Sequence, residues 1–94
     1  MSVDELPEAI TKVQAVYPAS ARARKIEGGL IVNVLVCRDG SVLDAYPSWG
    51  VDSVPEPVLE KAAIEAARQW RFKPAMVAGS PVAIWVAIPF RFKL

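Results

Sequence analysis

Histidine is absent from this chain and cysteine occurs once. The first absence removes the commonest general base and metal ligand. The second rules out an intramolecular disulfide, and Cys37 reads as a small apolar strand residue with no partner to stabilise a thiolate. Net charge is only +1, so no electrostatic footprint for nucleic acid stands out. The local basic clusters Arg22, Arg24, Lys25 and Arg68, Arg71, Lys73 read as solvated faces. No apolar run reaches the roughly 17–25 residues of a membrane helix. Residues 1–7 carry no basic stretch ahead of an apolar one and are not expected to act as a signal peptide.

Catalytic constellations are equally scarce. Glu56, Glu60 and Glu65 fall on the polar side of a helical pattern, Asp39 belongs to a turn, and no two carboxylates are set to share a proton or a metal. Ser41 and Ser48 lack a nucleophile-elbow context. Gly28-Gly29 reads as the end of a helix rather than a phosphate loop. No catalytic, cofactor-binding or metal-binding residue is assigned, and no enzyme activity is expected.

What the chain does have is a hydrophobic share of 53% over 94 residues, enough for one domain with a modest core. Residues 1–16 form an acidic lead-in, with a weak helical turn over Ala9, Ile10 and Val13. Pro18 sits well at the start of a short helix over 18–26. Residues 30–37 read as a β-branched strand, Asp39-Gly40 as a hairpin turn, and 42–47 as the returning strand. A loop with Trp49 leads to a helix over 56–70, with Leu59, Ala63, Ala66 and Trp70 on one face. Trp70 and Phe72 pin its end, Pro74 forbids continuation, and Gly79 with Pro81 turns the chain into a last strand over 82–92.

Parity assigns the strand faces. Val32, Val34 and Val36 share a face with Leu30, and Ile84 and Val86 share one in the last strand; these sets are expected under the helices. The opposite faces, with Ile31, Leu35 and Trp85, are more apolar than a solvated face needs. Pro89 cannot donate to a ladder, which places the last strand at a sheet edge and the strand order as second, first, third. A long apolar edge is a template for an added peptide strand, for self-association, or for cover by another domain.

Several short motifs then fall into one order. They are Tyr17-Pro18, Ile26-Glu27-Gly28, Val32/Val34/Val36 before Asp39-Gly40, Leu59 with Ala63, residues 70–75, and Gly79-Ser80-Pro81-Val82 with Trp85-Val86. Together they make residues 17–94 resemble the C-terminal domain of TonB-family energy transducers. The resemblance implies an α+β fold: a three-stranded antiparallel sheet with two helices packed on one face. It implies a periplasmic domain, carried by an inner-membrane-anchored protein through a Pro-rich spacer, that captures the TonB box of outer-membrane receptors and passes on proton-motive-force-derived energy. Siderophore uptake is a typical use. The motor proteins would be reached through the anchor, which is not among these residues. Family receptor contacts map onto Gln14 and onto the final strand at Val82, Ala83, Ile84, Trp85, Val86, Ala87 and Ile88. Tyr17 reads as a core anchor. A homodimer or purely structural module using the same edge is the alternative reading.

Overall fold

The structure, a computed structural model, describes residues 4–51 and 53–94. The first three residues of the lead-in and Asp52 of the Trp49 loop lie outside the described residues. In chain order the elements are β1 (Glu8–Thr11), α1 (Ala19–Ala23), β2 (Gly28–Val36), β3 (Val42–Ser48), α2 (Pro57–Arg68), β4 (Arg71–Lys73), β5 (Ala75–Val77), β6 (Ser80–Val82) and β7 (Ile84–Phe92). The central sheet has the order β3-β2-β7, antiparallel throughout. This is the expected second–first–third arrangement, with β7 at an edge.

The core follows the parity of β2. Leu30, Val32, Val34 and Val36 are buried, as are Ile88, Phe90 and Phe92 of β7, together with Leu59, Ala63, Ala66 and Ala67 of α2. Ala21 of α1 joins the same cluster. Pro57 opens α2 at a position where a missing amide costs nothing. Trp49, in the loop before α2, is tied back to it by Nε1 donating to Glu60 Oε1 at 2.6 Å.

Four local readings differ from the sequence. The lead-in is extended rather than helical at Ala9 and Ile10: β1 pairs antiparallel with β4, Ala9 opposite Phe72 and Glu8 opposite Lys73. An isolated helical turn there has no tertiary support, whereas the strand does. Gly28 and Gly29 open β2 instead of ending α1. The helix is stopped by Lys25, which takes the left-handed conformation (φ 56°) that glycine usually fills, while the Ile26 amide returns to Ala21 O at 2.8 Å. Finally, α2 ends at Arg68 and Phe72 is buried in β4. Val82 belongs to the β5–β6 hairpin, opposite Ala75, and the regular edge strand begins after a break at Ala83.

The hairpin β5–β6 turns through Ala78 and Gly79, both at positive φ (49° and 78°), a two-residue connection matched to strand twist. Gly40 in the β2–β3 turn is more constrained. Its φ is +86°, and a Cβ there would lie 1.9 Å from the Phe72 carbonyl oxygen. The close approach is a bond between elements, since the Phe72 amide donates to Gly40 O at 2.9 Å.

Candidate functional site: the open sheet edge

The β2–β7 ladder runs without interruption from Gly28 opposite Phe92 to Val36 opposite Ile84. Opposed residues in an antiparallel ladder alternate between pairs that exchange two hydrogen bonds and pairs that exchange none. A proline fits only the second kind. Pro47 of β3 stands opposite Val32, and Pro89 of β7 stands opposite Ile31. Successive residues of β2 turn their amides to opposite neighbours, so the two prolines agree: even-numbered β2 residues bond β7 and odd-numbered ones bond β3. The Cys37 amide, donating to Ser41 O at 2.8 Å, obeys the same rule.

This parity identifies the outward backbone groups. In β7, Ile84, Val86 and Ile88 spend their amides on β2. Trp85 and Ala87 point theirs at the free side, and Pro89 offers only its carbonyl there. Val86 is thus the wrong place to probe the edge with proline, and Ala87 the right one. Across the sheet, β3 turns Ala45 and Pro47 outward, and Val42 beyond the irregularity. Pro47 has no N–H, and the Ala45 amide is occupied by its neighbour's carboxylate, Asp44 Oδ1, at 2.8 Å. Of the two edges, only β7 keeps free donors at these positions.

Alongside the far end of β7 runs the strap, residues 4–16. Its carbonyl at Val13 accepts from Trp70 Nε1 at 2.9 Å, and the Trp70 ring lies 6.2 Å from that of Phe90. Further up, Glu5 and Asp4 bond Met76, and the Asp4 carboxylate accepts the Ala78 amide. Between strap and strand is a groove of about 450 Å³ lined by Lys12, Val13, Gln14, Ala15, Trp70, Pro89, Phe90 and Arg91. No β2 residue lines it, so it lies on the free side of β7. Gln14 shares this groove with Pro89, Phe90 and Arg91 of the edge strand, and none of Val82, Ala83, Ile84, Trp85, Val86, Ala87 and Ile88 lines it.

The outer sheet face is uncovered among the described residues. Ile31 is 42% exposed, Tyr46 51% and Trp85 48%. The Trp85 and Tyr46 rings meet edge to face at 5.3 Å, although their strands flank β2 and so lie roughly 9–10 Å apart. Trp85 therefore leans inward over β2, away from the free edge. Tyr17 is an anchor, as expected: its hydroxyl donates to Ile26 O and its ring meets Phe92 edge to face at 5.6 Å. Among the described residues, a carboxyl held away from its ordinary pKa lies elsewhere. Asp39 is held below its ordinary value by the Ser41 hydroxyl (2.6 Å), then by the Ser41 amide (2.9 Å).

Sequence reasoning missed the strap as a wall and Asp44 as an edge cap. Both left signals. Lys12-Val13-Gln14-Ala15 alternates polar and apolar as an extended segment does, and Asp is depleted in strands unless it has a task.

Fold and edge together define a small α+β domain that presents one uncapped strand of a three-stranded sheet. The chain belongs to the family of Gram-negative bacterial TonB protein C-terminal domains, which matches residues 13–94. It is 35% identical to protein TonB of Vibrio cholerae over 98% of this chain and 36% of that protein. It is 34% identical to protein TonB of Pseudomonas aeruginosa over 84% of this chain and 22% of that protein. The chain thus spans about a third or less of these relatives. The solution structure of the Pseudomonas aeruginosa TonB C-terminal domain superposes with a TM-score of 0.72 at 31% identity, covering 94% of this chain and 86% of that one. The family is one of transport energy transducers rather than enzymes.

Proposed function

We propose that this domain captures the TonB box of outer-membrane receptors as an extra strand on the free edge of β7. In this reading it is the periplasmic end of an inner-membrane-anchored protein whose motor partners supply proton-motive-force-derived energy. One observation carries it: over the facing stretch, β3 has the outward amides at 45 and 47 removed by the Asp44 carboxylate and by Pro47, while β7 keeps those of Trp85 and Ala87. A protein that closes one edge and leaves the other open has an edge to offer.

The chemistry of such a site suits a transducer. Backbone pairing gives affinity that tolerates many side chains, so one domain serves several receptors. Ordering a flexible peptide opposes the gain and keeps binding reversible. The pairing stretch centres on Trp85 and Ala87, later in the strand than Val82 and Ala83. Trp85 contributes its backbone and not a cover, because its ring rests on Tyr46.

The test is titration of isotope-labelled domain with a synthetic TonB-box peptide. Amide shifts should concentrate on Trp85 and Ala87 and fade along β3. Shifts confined to α2 or the Trp49 loop would sink the reading. The uncovered apolar face favours the second reading, self-association, and sedimentation at several concentrations separates them: a tight dimer indifferent to the peptide supports the second.

A further inference from the structure

Charge is unevenly shared along this nearly neutral chain. Residues 9–38 and 66–94 hold all but one of its 11 Lys and Arg and only one of its 10 Asp and Glu, Glu27. The fold gathers part of this surplus at the end of the sheet where β2 begins and β7 finishes, Gly28 standing opposite Phe92. Arg22 and Arg24 lie on α1 and just after it, and Lys25 leads the chain towards β2. Tyr17 brings them beside β7: its ring meets Phe92 at 5.6 Å and carries the Arg22 guanidinium over it at 5.7 Å. Arg91 and Lys93 flank Phe92, and all five cations are exposed. Glu27 is turned to the backbone, its Oε2 accepting the Leu94 amide at 3.1 Å. The other carboxylates near this end, Glu56 and Glu60, begin α2, which packs chiefly on β3 and β2. Glu60 holds Trp49, and Glu65 further along shares its groove with Lys61. The end of the sheet is thus basic on its β7 side and acidic on its β3 side.

We propose that this basic tip docks on an anionic lipid surface, the phosphate headgroups of the bilayer that holds the receptor. Lysines and arginines clustered on a protein surface are each drawn to such a layer, and the attraction fades within a screening length. The five cations stand on long side chains from separate segments, so they can follow headgroups that shift sideways. A folded acidic partner would instead call for carboxylates matched to fixed guanidinium geometry. Docking also sets the direction of the open edge. Strand β7 runs into the tip, so the strand stands up from the membrane, and a segment leaving a receptor in that membrane runs along it. This use of the tip rests on the strand-addition reading; the lipid contact itself does not.

Co-sedimentation with vesicles tests it. The chain is mixed with vesicles of phosphatidylcholine alone or of phosphatidylcholine with phosphatidylglycerol, at about 0.1 M salt, where the screening length is about 10 Å. It should partition onto the anionic vesicles, stay off the neutral ones, and be released at about 1 M salt. Arg24→Glu with Lys93→Glu should weaken partitioning at least about tenfold, the loss of two surface cations. Lys61→Glu with Arg68→Glu changes the net charge equally on the exposed side of α2 and should cost less than about threefold. Thermal unfolding checks that both double variants are folded. No partition onto anionic vesicles would overturn the proposal, as would equal losses in the two pairs. Inorganic phosphate that displaces the chain from vesicles at constant ionic strength would also overturn it, by revealing a site for a free anion. Vesicle binding without any peptide-induced shift at Trp85 and Ala87 would uphold the lipid contact and remove the strand-addition reading.

Discussion

Strands β3 and β7 both flank β2, both carry a proline, and both leave one side of their backbone unpaired in the central sheet. What differs is the fate of the outward amides. In β3 a carboxylate one residue away takes the amide next to the proline. In β7 the residues before the proline are Ala87 and Trp85, neither of which has a side chain able to cap. The ladders differ too: β3 meets β2 through an irregularity between Leu35 and Val36, whereas β7 pairs in unbroken register. A bulge and a charge blunt an edge, and a regular apolar strand invites company. In β3 two residues close the stretch from Ala45 to Pro47, and the lesson is that proline alone does not suffice.

The largest effect expected is on the side of β7. Trp70→Ala should cost about 3 kcal/mol in a denaturant titration, the low end for a large aromatic because the ring is only half-buried. It should also free the Val13 carbonyl and loosen the strap. Amide exchange should then rise over residues 8–15 with little change in β3. A loss under about 1 kcal/mol would mean that the strap is held without it.

Ala87→Pro comes next. It removes the central free donor without touching the β2 ladder, so peptide affinity should fall at least about tenfold while the domain stays folded. Val86→Pro should instead destabilise the fold itself, since that amide bonds β2. Equal behaviour of the two variants would overturn the parity assignment. The mirror experiment is smaller: Asp44→Ala uncaps Ala45, and exchange of the Ala45 amide should quicken about fivefold, the equivalent of one modest hydrogen bond. No change would deny that the carboxylate closes that edge.

The smallest effect concerns acid. The folded state of Asp39 holds its pKa below the ordinary value, so its contribution is present above the unfolded pKa of about 3.9 and is lost as pH falls through the folded one. Below about pH 4 the β2–β3 turn should loosen, seen in the Ser41 amide shift, with the β7 edge unaffected. Asp39→Asn should flatten that titration.

The central sheet was legible because its signals are strong and local: β-branched runs, Asp39-Gly40, and a helical face ending near Trp70. The edge position of β7 was legible from one residue, Pro89. The strap was not, because Ala9 and Val13 fit a helical turn as well as a strand, and only contact with Phe72 and Trp70 decides. Val82 reads as part of the edge strand because its neighbours are apolar; the two positive-φ residues that give it to β6 instead depend on hairpin geometry. The closed state of β3 needs a distance, Asp44 to Ala45, that no pattern contains.

Gly40 has a consequence for how the molecule is wired. Backbone pairing runs from β1 to β4, through the Phe72–Gly40 bond into the hairpin turn, along β2, and across the ladder to β7. No side chain is needed at any junction of this circuit, so most of its positions are free to change. At Gly40 that freedom ends, because a single methyl group would meet the Phe72 carbonyl at 1.9 Å. The strap and the open strand share one backbone circuit, and an alanine in the turn would cut it.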